Sequence, residues 1–239
     1  MNKPRHETWN PVTGCSPVSE GCDHCYARGI ALRLRDMGVA RYSEGFSVVV
    51  HEDVIEKPLH WRDPRIVFVT SMGDLMHPEV PEDFINRVFD VMRRCARHQF
   101  QLLSKRPERM AGLCRTIDWP ANVWAGTTVE NRSFYHRLEN LRRVDSAIRF
   151  ISFEPLLGDV SDVDLTGIHW AAVGGESGPE ARPMRIEWAR GIRDRCVREG
   201  IAFYFKQWGG RHHSSGGRML DGRTWDQSPD PSGQMRLGL

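Results

Sequence analysis

Several things are missing from this chain, and each absence narrows what it can be. No apolar run approaches the ~18 residues that a membrane-spanning helix needs. The opening, Met-Asn-Lys-Pro-Arg-His-Glu, lacks the apolar core of a secretion signal, so the expected compartment is cytoplasmic. No internal repeat is evident, which excludes solenoids and propellers. A strong charge bias is also absent: 33 basic residues face 31 acidic ones, for a net charge of +2. That balance argues neither for nor against a nucleic-acid partner. What remains is an ordinary globular composition, 239 residues with 40% apolar content. This suits one large domain, or at most two small ones. Six cysteines in a reducing compartment are metal ligands or core residues before they are disulfides.

Three of those cysteines, Cys15, Cys22 and Cys25, fall within the stretch Trp9 to Tyr26. Their spacing is Cys-x6-Cys-x2-Cys. Gly14, Pro17 and Gly21 keep the stretch out of regular structure, so it reads as a loop that folds three sulfurs around one centre. Thiolates at this density suit zinc or an iron–sulfur cluster. The count matters, because structural zinc usually takes four protein ligands. Three cysteines on a cubane leave one iron with an open position, where a small molecule can chelate. The other three have a plainer account. Cys95 shares a helical face with Phe84, Val88 and Met92, Cys114 follows Met110 by four, and Cys196 follows Ile192 by four. All three are expected in the core as small hydrophobes.

The cysteine stretch resembles the cluster loop of radical S-adenosylmethionine (SAM) enzymes. It departs from their usual Cys-x3-Cys-x2-Cys pattern in its first gap. It also has His24 before the last cysteine, with Tyr26 after it, where the aromatic residue usually precedes. The wider gap, the Trp-Asn-Pro-Val-Thr-Gly-Cys opening and the closing Cys-Tyr-Ala resemble a phage-associated family of three-cysteine proteins regarded as radical-SAM-like. The likeness continues through Thr-Ser-Met-Gly-Asp-Leu-Met-His from Thr70, Gly-Thr-Thr-Val-Glu-Asn from Gly126, Ser-Phe-Glu-Pro-Leu-Leu-Gly from Ser152 and Gly-Gly-Glu-Ser-Gly from Gly174. It spans roughly residues 7 to 210. The resemblance implies a [4Fe–4S] cluster on the three cysteines. SAM would chelate the open iron and give a 5′-deoxyadenosyl radical on one-electron reduction. An electron donor is then a partner; nucleic acid, nucleotide and peptide are all candidate substrates, and the phage association favours nucleic acid.

Along the chain, strands and helices alternate. Strands are expected at 46–50, 65–70, 100–104, 123–127, 149–153, 168–173 and 201–206, with 7–10 a candidate eighth. Helices are expected at 23–37 (capped by Asp23), 53–61, 81–97, 107–114, 130–144 and 186–199. Strands buried on both faces and separated by helices imply parallel βα units. A doubly wound open sheet and a full or partial parallel βα barrel both fit. Polar residues gathered at strand ends favour the barrel, whose active site lies at those C-terminal ends. The resemblance implies the same TIM-like, radical-SAM-like barrel. Residues 1–208 are assigned to this domain. Residues 209–239, rich in Gly, Ser and Pro, read as a loosely ordered tail with a short hairpin at Met219 to Trp225.

The strand-end groups are the candidate ligands of SAM. Ser71, Gly73 and Asp74 follow one strand: the glycine admits close backbone approach and the acid suits an ammonium, although the Gly-Gly-Glu pattern usual there is absent. Lys105 and Arg106 suit a carboxylate. Thr128 and Glu130 suit a ribose or an amine, and Glu154 is expected in the barrel mouth. Gly175 and Glu176 lie in a glycine turn able to cradle adenosine through backbone amides. Lys206 and Trp208 end the last strand, and Trp61, Trp124 and Trp208 are candidates to stack on bases. Each has an ordinary structural account too: Asp74 and Glu130 as first-turn or capping acids, Lys105 and Arg106 in a solvated loop, Trp208 packed on the rim. Two further functions compete. One is a non-catalytic protein with zinc or iron–sulfur on the cysteines and His24 or His6, binding nucleic acid. The other is a metal hydrolase using Asp74, His77, Glu154 and Glu176, which leaves the cysteines unexplained.

Overall fold

The computed structural model describes residues 5–212, 215–229 and 235–236. Among the described residues, eleven strands and five α-helices run in the order β1 (Arg5–Trp9), β2 (Val12–Thr13), α1 (Tyr26–Asp36), β3 (Val49–Val50), β4 (Arg65–Val69), α2 (Glu82–Arg94), β5 (Gln99–Ser104), α3 (Pro107–Leu113), β6 (Val123–Thr128), α4 (His136–Arg142), β7 (Arg149–Phe153), β8 (Trp170–Gly174), α5 (Ile186–Glu199), β9 (Ala202–Gln207), β10 (Ser228–Pro229) and β11 (Met235–Arg236).

Seven strands make one sheet in the order β1-β4-β5-β6-β7-β8-β9, all parallel. Sequential order with parallel pairing sends each crossover over the same face, because such connections share one hand. The helices therefore cover one side, and the sheet curls into a half-barrel around the other. The strands inside the sheet read as largely apolar runs because both faces are covered. In β4, Val67 and Val69 face the helices and are fully buried, while Phe68 faces the inside of the curl. In α2, Phe84, Ile85, Val88, Phe89, Val91 and Met92 are buried at helical spacing. Glu82 and Asp83 in the first turn and Arg93 and Arg94 in the last complement the helix dipole. The main core lies between this helix layer and the sheet. Cys95 and Cys196 are buried in it, and Cys114 packs against it.

One strand assignment is corrected. Residues 46–50 do not enter the main sheet. Val49–Val50 pairs antiparallel with Val12–Thr13, at the root of the cysteine loop. Phe46 is apolar because it packs on Ala27, Ala31 and Met72. The place in the sheet belongs to β1, the candidate eighth strand, which is an exposed edge strand and so lacks an apolar run. Two helices are shorter than expected. α1 begins at Tyr26 with Cys25 as its N-cap, so Asp23 does not cap it. α4 begins at His136, after a turn at Arg132–Phe134 capped by the Asn131 side chain. The 53–61 segment forms two short 3-10 turns, Glu52–Val54 and Lys57–His60.

Among the described residues β1 and β9 do not pair, so the barrel stays open. The outer edge of β9 is covered instead. Phe205 N–H donates to Trp225 O at 2.9 Å and Gln227 N–H to Phe203 O at 3.2 Å, which occupies groups that an open edge would expose. The Met219–Trp225 hairpin closes through a Leu220–Arg223 bridge, and Leu220 and Trp225 are buried in the main core. Positions 213–214, 230–234 and 237–239 of the expected tail lie outside the described residues.

Candidate functional site

The cysteine loop is laid across the C-terminal ends of the strands. Gly14 N–H donates to Met72 O at 2.9 Å and Cys15 N–H to Phe46 O at 3.2 Å. Gly14 has φ +84°, and a Cβ there would lie 1.9 Å from Ser47 O, so only glycine lets the loop approach this closely. A cavity of about 720 Å³ opens beneath the loop, inside the curl of the sheet.

All three motif cysteines line this cavity. Ser71, Gly73, Asp74, Lys105, Arg106, Thr128, Glu154, Gly175 and Glu176 line it too. The alternation of the strands explains the grouping. Thr128, Ser152, Ala172 and Tyr204 stand side by side in register, from zero to three residues before the strand ends, on the face opposite the helices. Glu130 alone among the candidate ligands is absent from the lining; it is wholly buried behind it. His77 is also buried away from the cavity, bonded to Ser16 Oγ at 2.7 Å.

The candidate ligands are held by one another. Arg106 Nη1 donates to Asp74 Oδ2 at 2.8 Å and to Cys15 Sγ at 3.3 Å, while its Nη2 donates to Ser16 O at 2.9 Å. Asp74 also accepts from Met76 N–H at 2.9 Å. Lys105 Nζ lies 2.6 Å from Glu130 Oε1, 3.3 Å from Ser19 Oγ and 3.6 Å from Cys22 Sγ. Glu130 further accepts from Ser19 Oγ at 2.7 Å and Arg137 Nη1 at 2.8 Å. Glu176 is gripped by Arg182 through both oxygens, at 2.6 and 2.9 Å, and by His24 Nδ1 at 3.1 Å. Lys206 Nζ donates to both Glu154 oxygens, at 2.8 and 2.9 Å.

These contacts set the charge states. Burial raises the Cys15 thiol, and the Asp74 carboxylate adds to this against the hydrogen bond from Arg106. Burial works the same way at Cys22, but there Lys105, with backbone and hydroxyl donors from Val18 and Ser19, outweighs it and lowers the thiol. Burial would raise the Glu130 carboxyl; Lys105 and Arg137 outweigh it and hold it below the ordinary range. For Glu176, burial is overcome by the Arg182 hydrogen bonds, and the carboxyl is pushed down to about 2.

The donor set discriminates between metals. Among the described residues, no three His, Cys, Asp or Glu side chains stand close enough to share one ion. Thiolates on a single zinc lie about 2.3 Å from it, and so roughly 3.8 Å from one another. A cluster seats each thiolate on its own iron and spaces the sulfurs more widely. Three thiols around one cavity, two of them receiving donors from the buried Arg106 and the half-buried Lys105, fit the anionic cluster. The hydrolase set of Asp74, His77, Glu154 and Glu176 does not assemble.

Sequence reasoning missed the lower part of the cavity. Phe68, Gln101, Leu103, Phe150 and Tyr204 line it from within their strands, and Trp170 from the start of β8. Among the candidate stacking residues, Trp61 and Trp124 are buried, and Trp208 packs on Phe205 with ring centroids 4.8 Å apart. None of these three lines the cavity, whereas Trp170 does. The available signal was the count from the strand end: Trp170 and Tyr204 share the inward parity of Gly174 and Lys206.

Residues 4–229 match the model of a family described as "Protein of unknown function (DUF5131)". No curated protein matches the chain. Among solved structures it is similar to spore photoproduct lyase complexed with dinucleoside spore photoproduct. The identity there is 10% and the TM-score 0.43, over 78% of this chain and 59% of that one. It is also similar to a cysteine-to-serine mutant of spore photoproduct lyase, at 10% identity and TM-score 0.45, over 80% of this chain and 61% of that one. The chain thus spans about three fifths of the length of both.

Proposed function

We propose that this chain, which belongs to the DUF5131 family of proteins of unknown function, is a radical SAM-type enzyme acting on a nucleic acid or nucleotide. Cys15, Cys22 and Cys25 would hold a [4Fe–4S] cluster, and the cavity beneath them would take SAM. Bound there, cluster and SAM would supply radical hydrogen-atom abstraction, with an electron donor as the remaining partner.

One observation carries the reading. The three motif cysteines and nine of the ten residues that the sequence nominates for SAM line a single cavity at the C-terminal ends of a parallel half-barrel. Around that cavity the chain's own groups have clear tasks. Lys105 and Arg106 offset thiolate charge at Cys22 and Cys15 and present donors suited to a carboxylate. Ser71, Gly73 and Asp74 on one wall, and Thr128 and Glu154 on another, offer acceptors for an ammonium and ribose hydroxyls. The Gly175–Glu176 turn offers backbone approach for adenosine. The loop above and the sheet below flank these groups.

Anaerobic reconstitution with iron and sulfide tests this. About four irons and four sulfides per chain are expected, with an electron paramagnetic resonance signal of the reduced protein that changes when SAM is added. Cys22→Ala should lose that signal and the visible absorbance. Retention of a single zinc, or a cluster spectrum indifferent to SAM, would defeat the reading.

A further inference from the structure

We infer that the floor of the half-barrel is a binding site for one nucleobase of the substrate, with Trp170 and Gln101 deciding which base edge it accepts. The reaction assigned to that base rests on the radical SAM reading above; the binding site itself does not.

A closed βα barrel fills its interior with layers of branched aliphatic side chains. This interior is different. Phe150, Trp170 and Tyr204 form an aromatic wall, with Trp170 at its centre: its ring centroid is 5.5 Å from Phe150 and 6.1 Å from Tyr204. Ala172 lines the cavity with little bulk, and Gly126 lets the Phe150 ring settle onto the sheet, where a Cβ would come within 2.3 Å of it. Aromatic rings packed at an angle to one another thus line the chamber, a surface suited to a planar ring.

The chamber also holds polar atoms with no partner, one on Trp170 at the floor and one on Thr70, just past the end of β4 at the rim. Trp170 Nε1 and Thr70 Oγ1 are both buried without a hydrogen bond among the described residues, and both residues line the cavity. Buried donors are almost always paired in native proteins, so two orphans on one chamber point to a ligand that pairs them. Thr70 adds a second sign. It is a β-branched residue at φ +62°, 3% exposed, a backbone state that such residues avoid and that clusters at ligand sites. Gln101, across the floor on β5, brings a carboxamide that can donate and accept at once.

These features select the ligand class. A phenylalanine or tryptophan side chain would stack but has no ring acceptor for the indole N–H. A sugar has acceptors but no flat face. A nucleobase has both, and its adjacent donor and acceptor match a glutamine side chain. Trp170 lies four residues before the end of β8, so the floor is about 13 Å below the rim at ~3.3 Å per residue. A base reaches that depth only when unpaired, which excludes an intact duplex. A free nucleotide and an unpaired nucleotide in a single strand offer the same chemistry.

The test is equilibrium binding to the full chain, with and without its cluster. The probes are the nucleoside monophosphates, single-stranded and duplex dodecamers, and tryptophan amide as the aromatic control, read by tryptophan fluorescence and calorimetry. Nucleotides should bind whether or not saturating SAM is present, and the duplex should not. Trp170→Phe, which keeps the ring and loses the N–H, should weaken binding about tenfold. Gln101→Leu should change the order of preference among the four bases. Both variants should keep wild-type iron content and SAM affinity. Tighter binding of the strand would name a strand as the source, and equal binding a free nucleotide. Displacement of nucleotides by SAM, preference for tryptophan amide, or wild-type binding by both variants would overturn the proposal. Nucleotide binding by a protein that never takes up a cluster would leave the base site standing and remove only the radical reading.

Discussion

Replacing Glu130 separates two accounts of the same residue. In the sequence it is a candidate ligand for ribose or amine. In the structure its carboxylate is fully buried and accepts from Lys105, Arg137 and Ser19 at 2.6, 2.8 and 2.7 Å. Lys105 and Ser19 are the same groups that stand 3.6 and 3.7 Å from Cys22 Sγ. Glu130→Ala leaves Arg137 buried without its anion and frees the Ser19–Cys22 turn. Removing one partner of a buried, hydrogen-bonded ion pair costs about 3–5 kcal/mol. For a chain of 239 residues that lowers the melting temperature by roughly 6–20 °C. Glu130→Gln keeps the shape and loses the charge, so it should cost less, about 1.5–3 kcal/mol. Urea unfolding of the metal-free protein measures both, with an unchanged slope expected. The sign of the pH dependence follows from the lowered carboxyl. The stabilisation is complete above the ordinary glutamate value of 4.5 and is lost as pH falls through the depressed folded value; Gln should flatten that loss. On reconstitution Glu130→Gln should hold less iron, while the fraction that is loaded binds SAM as wild type does. Wild-type stability in Glu130→Ala, or intact iron with weakened SAM binding in Glu130→Gln, would refute the anchoring role.

Three further outcomes are expected. Gly14→Ala should keep the circular dichroism of the fold but lose iron uptake, because its Cβ meets the Ser47 carbonyl and pushes the loop off the strand ends. Glu176, with its carboxyl pushed down to about 2, should contribute about 2–3 kcal/mol above pH 4.5 that fades as pH falls toward 2; comparing urea midpoints of wild type and Glu176→Gln at pH 6 and pH 3 checks this. Trp225→Ala should cost roughly 3–5 kcal/mol and expose the edge of β9 to proteolysis without changing iron content, since Trp225 packs edge-on against Phe203 on the helix side of the sheet, away from the cavity.

What could be read in advance follows from how each feature is encoded. Parallel strands covered on both faces must be apolar throughout, so β4 to β9 are visible as runs such as Arg65–Val69. The helices between them are visible by their 3.6-residue period. A half-exposed edge strand carries no such run. That is why β1, with only Trp9 buried, reads weakly, while residues 46–50, apolar for the sake of α1 and the cysteine loop, read as a barrel strand. The cysteine spacing and the polar residues after each strand are also local facts. Their arrival at one cavity follows from topology, because parallel strands in sequential order bring all their C-terminal ends to one side.

The amino-acid sequence by itself therefore determined the βα series, the three-thiol loop and the set of strand-end groups that share a cavity with it. Tertiary structure alone decided how those groups are spent. Asp74 with Arg106, Lys105 with Glu130, and Glu154 with Lys206 lie 32, 25 and 52 residues apart, and no local pattern pairs them. Whether an acid faces a ligand or a buried cation depends on which charge the fold brings within 3 Å. The floor was hidden for a related reason: Gln101 and Trp170 sit inside strands, where a residue's task is set by whether the sheet closes over it, and here the sheet stays open.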